Sequence, residues 1–197
     1  MNQTTSRDRL IFAMADALQR RGLHGVGISE LLNQAASPKG VLYHHFPGGK
    51  TELAVAAIDS IVDRMQGALA TLAEQPEPLQ ALSDWLIQAE RQLRSSSFER
   101  GCPLATVALE SSADDTLLRA TLARAFARLR QALCALLEKA GIAPLRAESL
   151  ATLVLSAYEG ALLQARVAGD SAAMITTTSL LLEILRHEQN NKNPEFP

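Results

Sequence analysis

The stretch Ser37-Pro38-Lys39-Gly40-Val41-Leu42-Tyr43-His44-His45-Phe46, followed by Gly48-Gly49-Lys50, concentrates the residues whose chemistry is easiest to name. Ser37 suits a helix cap and Pro38 the first helical position, where its missing N–H costs nothing. Ser37, Lys39, Gly40 and Val41 then form a small or polar tip that lets a backbone approach base edges in a DNA major groove. Lys39 can reach the O6 and N7 acceptors of guanine, and Val41 offers a methyl contact to thymine. Tyr43, His44 and His45 lie at the far end of the same helix and Lys50 at the start of the next. Their O–H, ring N–H and ammonium groups, with the backbone N–H groups of a helix start, suit phosphate oxygens. Phe46 reads as the core anchor. The charge is placed to match: residues 1–50 hold six Lys/Arg against three Asp/Glu, and the remainder 13 against 18. A basic N-terminal quarter in a chain of net charge −2 fits a local phosphate contact.

Other chemistries find less support. His44 and His45 are adjacent instead of four apart, His24 and His187 are isolated, and no glycine-rich nucleotide loop or nucleophile–base pair is present. No catalytic residue, metal site or cofactor is therefore expected. An enzyme acting on a small molecule and a helical interaction module without DNA binding are the alternatives to DNA recognition. Cys102 and Cys134 are too few for a disulfide framework and read as reduced thiols, Cys134 as a core residue. No stretch approaches the roughly 20 apolar residues of a membrane span, and Arg7, Asp8, Arg9 and Asp16 interrupt any signal-like run. The expectation is a soluble, cytoplasmic chain.

The elements that must position these residues are helical. Apolar residues recur at helical spacing through almost all of the 197 residues, and alternating β-branched runs are missing, which predicts an all-α fold of about nine helices. Thr5 with Asp8 caps a first helix whose buried stripe is Ile11, Met14, Ala15 and Leu18, and Gly22 stops it. Gly27 with Glu30 resembles a capping box for a short second helix from Ile28 to about Ala35. The third is the Ser37–Phe46 helix, so that the last two, joined by a tight turn, follow the helix-turn-helix plan. A long helix runs from Lys50 to Leu72. After the break Gln75-Pro76-Glu77-Pro78, further helices follow around Trp85, from Cys102 to Ser111, from Asp114-Asp115 to Gly141, from Pro144 to Ala168 and from Ser171 to His187. The implied domains are residues 1–49 for DNA binding and a helical domain over 50–189, to which the resemblance described next assigns ligand binding and dimerisation, with a flexible polar tail over 190–197.

Between Ile28 and Leu53, Ser-Glu-Leu-Leu, a short turn, Pro-Lys-Gly-Val-Leu-Tyr-His-His-Phe, Gly-Gly-Lys and Glu-Leu appear in one order. This resembles the DNA-binding signature of TetR-family transcriptional regulators. The Pro-Lys-Gly and His-His-Phe-Pro-Gly-Gly-Lys wording resembles the branch that answers to drugs, flavonoids and reactive electrophiles, with an LmrA/YxaF-like C-terminal domain. The resemblance implies a ligand-responsive repressor that binds a palindromic operator as a homodimer, and it adds Ile28 and Ser29 to the DNA contact. One departure is Ala36, which stands where the family usually has glycine. If that residue is left-handed, alanine costs about 1 kcal/mol.

The resemblance further implies a ligand cavity in the helices after Lys50 and a four-helix bundle formed by the last two helices with their mates in a second subunit. Those two helices are apolar over more than one stripe, and Leu150, Val154, Ala161, Ile175, Thr178 and Leu182 are the interface candidates. With aromatics only 4% of the chain, Trp85, Phe98, Phe126 and Tyr158 are the candidate pocket walls, joined by the adaptable Met65. An apolar or aromatic effector is the default. Arg100-Gly101-Cys102-Pro103 matches a Gly-Cys pair that in an electrophile-sensing relative carries the sensor, with Arg166 where that relative has a basic partner. The other reading of Cys102 is a small buried residue packing a tight helix start.

Overall fold

The computed structural model describes residues 5–191, and among these it has nine α-helices and no strand. They are α1 (Ser6–Arg21), α2 (Ile28–Gln34), α3 (Lys39–His45), α4 (Gly49–Ala73), α5 (Pro78–Ser95), α6 (Pro103–Glu110), α7 (Thr116–Lys139), α8 (Pro144–Ala168) and α9 (Ala172–Asn190). The chain forms two compact units. Among the described residues, one unit comprises 5–63 and 101–126 and the other 64–100 and 127–191, so α4 and α7 each contribute to both.

In the first unit α1 is the central element, packed by α2, α3 and α6. It starts with a capping box, Asp8 N–H donating to Thr5 Oγ1 (3.1 Å) and Thr5 N–H to Asp8 Oδ2 (3.2 Å). Leu10, Met14 and Leu18 are wholly buried along it, and Gly22, at φ 69°, ends it in a conformation that side chains resist. The capping box expected for α2 does not form. Gly27 offers no side chain, and Glu30 is held by Arg21 of α1 at 2.7 Å, a stronger charged partner than the backbone N–H.

In the second unit α9 lies against both α5 and α8. Leu82, Leu86, Leu129, Leu136, Val154 and Leu185 fill the unit's core. Polar ties lock α9 in place: Ser171 Oγ donates to Glu90, Arg146 Nη2 to Glu188 (2.6 Å), and Gln189 Nε2 to the Ala140 carbonyl (2.8 Å). The last two explain why α9 runs beyond His187, since they hold the turn that follows. Asn190 is therefore helical, and the tail expected over 190–197 lies from residue 192 onward outside the described residues. Among the described residues no helix is long and apolar enough to cross a membrane.

Candidate nucleic-acid interface

The turn between α2 and α3 is built from its own hydrogen bonds. Ala36 N–H donates to the Asn33 carbonyl (3.1 Å) and Ser37 N–H to that of Leu32 (3.0 Å). Ala36 stands at φ 46°, in the left-handed region where alanine costs about 1 kcal/mol relative to glycine. Ser37 departs from the expected cap: it is buried, its hydroxyl donates to the Ala35 carbonyl (3.1 Å), and Pro38 is the residue that leads into α3. The same carbonyl accepts Arg9 Nε from α1 at 3.1 Å. The hydroxyl closes the turn instead of the helix because the carbonyl beside it is turned inward and needs donors.

This turn presents a bare tip. Pro38, Lys39 and Gly40 are exposed, Val41 is half-buried, and a side chain at Gly40 would meet nothing within 4 Å. Leu42 and Phe46 are buried behind them and anchor the helix. Further along, Tyr43 and His44 are exposed, while half-buried His45 places Nε2 3.0 Å from Ser6 Oγ. Arg7 lies over the Phe46 ring, 5.4 Å from its centroid. At the start of α2, Ser29 is exposed and Ile28 half-buried. Lys50 is half-buried at the start of α4; loss of solvation lowers its pKa, and the Glu110 carboxylate partly opposes that. One N–H beside that helix start is already taken, Gly48 N–H donating to Glu52 at 2.7 Å. Ser6, Arg7, Arg9 and Glu52 thus serve the site without having been singled out from the sequence. For the three on α1 no local signal exists, because their partners lie 26 or more residues away.

A short helix with an open polar tip, anchored through two apolar residues and approached by a second short helix, is a helix-turn-helix. Residues 11–57 match the family model described as bacterial regulatory proteins, tetR family, and residues 78–179 the one described as transcriptional regulator LmrA/YxaF-like, C-terminal domain. An HTH-type transcriptional regulator of Mycobacterium tuberculosis strain H37Rv is 35% identical over 169 residues, 83% of this chain and 86% of that protein. The chain belongs to the TetR family. LmrA of Bacillus subtilis is 26% identical over 94% of this chain and the whole of its own length. Among solved structures, a TetR regulatory protein from Rhodobacter sphaeroides superposes with a TM-score of 0.75 at 25% identity, over 90% of this chain and 97% of its own. Reduced Escherichia coli NemR shares the fold, with a TM-score of 0.77 at 20% identity over 89% and 94%. The TetR-family chain is accordingly a helix-turn-helix transcriptional regulator and not an enzyme.

In the C-terminal part of this TetR-family regulator, three of the pocket candidates come together. Met65, Trp85 and Tyr158 line a small space of about 30 Å³ with Leu69, Leu82, Leu129, Leu133 and Val154, and the Trp85 and Tyr158 rings stand 6.4 Å apart. Phe98 and Arg166 are half-buried and do not line it; Phe98 sits on a left-handed loop residue at φ 61°. Phe126 and Cys102 belong to the first unit, Cys102 half-buried as the residue leading into α6. Cys134 is half-exposed instead of core, because its thiol turns outward to Glu138 (3.3 Å). Of the interface candidates, Leu150, Val154, Ala161 and Leu182 are buried in the chain's own core, Thr178 is half-buried and Ile175 is exposed. Leu153, Leu163, Val167 and Leu180 are exposed apolar residues that periodicity did not separate from the core stripe.

Proposed function

We propose that this TetR-family regulator is a repressor that binds a palindromic operator as a homodimer and is released by a small apolar or electrophilic effector. The observation that carries the DNA reading is the tip of α3, with Pro38, Lys39 and Gly40 exposed and open space over Gly40. In this reading Lys39 and Val41 meet base edges, while Tyr43, His44, His45 and Lys50 meet phosphates. Ile28 and Ser29 add contacts from the start of α2, and buried Ser37 acts by shaping the turn. A cytoplasmic location follows from the chromosomal target.

Dimerisation is supported by the free face of α8, where Ser149, Leu153, Ser156, Gly160, Leu163 and Val167 repeat at alternating steps of four and three. That is a seam for a second helix, with small residues allowing close approach, and Ile175 and Leu180 of α9 extend it. Two reading heads related by a twofold axis match half-sites about 34–36 Å apart. The effector reading is supported by α4, one unbroken helix that begins beside the DNA-contact residues and carries Met65 and Leu69 to the apolar space. A ligand must enlarge that space to enter, displacing the helix, and a coupling of about 1–3 kcal/mol would suffice to weaken operator binding.

Binding of fluorescent DNA from upstream of the gene tests the core of this reading. Wild-type dimer is expected to prefer that DNA over scrambled sequence, Lys39→Ala to lose about tenfold of the preference, and Tyr43→Phe to weaken both DNAs alike. A folded dimer with no sequence preference at low salt overturns the proposal. For the effector, a thermal-shift screen with Cys102→Ser alongside separates reversible ligands from thiol chemistry. An electrophile response that persists unchanged in the mutant removes the sensor role of Cys102.

A further inference from the structure

We propose that Glu110, the last residue of α6, is a positioning residue for DNA recognition: its carboxylate fixes the α1–α2 turn and thereby the placement of α2 and α3 on α1. The proposal rests on the reading of α3 as the DNA-contacting helix. Glu110 Oε2 accepts Leu23 N–H at 2.5 Å and His24 N–H at 3.3 Å. These donors fall between the end of α1 and the start of α2, where neither helix supplies a carbonyl, so the carboxylate provides what the backbone lacks.

Gly22 is an independent mark of the same device. It stands at φ 69°, a conformation that favours glycine, and the Glu110 carboxyl group fills the space a Cβ there would take, so the carboxylate sits where only a glycine leaves it room without moving. Two residues before α6, Gly101 is tied to α1, its N–H donating to the Gln19 carbonyl at 2.8 Å. With these ties α6 is held to α1 before its first residue and to the α1–α2 turn at its last, and it packs against α1. The Glu110 charge also acts on Lys50, a proposed phosphate contact. One carboxylate thus bears on the turn that orients the reading head and on a cation at its rim.

The test is DNA binding by Glu110→Ala and Glu110→Gln in the full-length protein, with amide hydrogen exchange at Leu23 and His24. Glu110→Ala is expected to keep its fold and its affinity for scrambled DNA while losing about tenfold in preference for upstream DNA, since two hydrogen bonds to a charged acceptor are removed. Glu110→Gln keeps one acceptor oxygen and is expected to recover most of the preference. Leu23 and His24 amides should exchange faster in the alanine variant. A wild-type preference in Glu110→Ala overturns the proposal, as does equal loss on both DNAs or unchanged exchange at the two amides. Should Glu110→Ala not fold, Glu110→Asp, which keeps the charge but withdraws the carboxylate from the two amides by one methylene, must reproduce the loss of preference and the faster exchange, and its failure to do so is equally decisive. If the wild-type protein itself shows no preference, the reading of α3 fails, and the exchange rates alone still decide whether Glu110 holds the turn.

Discussion

At Ala36 the backbone adopts φ 46° and the methyl group gains nothing in return, being exposed. Ala36→Gly is therefore expected to stabilise the protein by about 1 kcal/mol and to raise the thermal midpoint by about 2–4 °C, checked by calorimetry. A midpoint that falls would show that the unfolded-state entropy of glycine outweighs the relieved strain. The position was marked in the sequence through the resemblance, because the family usually has glycine where Ala36 stands. The role of Ser37 was not. Serine before proline fits a cap equally well, and only the inward Ala35 carbonyl, shared with Arg9, draws its hydroxyl into the turn.

At the scale of elements, α5 and α9 are joined by Ser171 donating to Glu90, with Arg94 beside it. The Ser171 hydrogen bond, and after it Arg94, lowers the Glu90 pKa below its ordinary 4.5. A carboxyl group depressed in the folded state contributes stability above its unfolded pKa, and that contribution is lost as pH falls through the folded value. Thermal midpoints measured between about pH 3 and pH 7 should fall on the acid side, and Ser171→Ala should make the fall shallower. Identical acid profiles for the two proteins would remove Glu90 from the account. Helix number and order were legible because each helix carries its own apolar repeat and its own Gly or Pro punctuation. The tie between α5 and α9 was not, since its partners are 81 residues apart.

At the scale of the molecule, the exposed apolar residues of α8 and α9 are the proposed dimer face. Leu163→Glu with Val167→Glu places charge on that face at residues 54% and 82% exposed, so the single chain should fold unchanged. Light scattering should report a monomer, and operator affinity should collapse because two half-sites are no longer held together. A dimer that survives both substitutions would move the interface elsewhere. Sequence alone determined the all-α class, the helix-turn-helix and the family, because these depend on local periodicity, on caps and on a motif contiguous in the chain. Which apolar stripe of α8 turns inward could not be read. Leu150, Val154 and Ala161 are as apolar as the exposed Leu153, Leu163 and Val167, and only packing against the chain's own helices separates them. The pocket candidates divided for the same reason: Met65, Trp85 and Tyr158 meet while Phe98 and Phe126 do not, because contacts between distant segments are set when helices pack and not when they form.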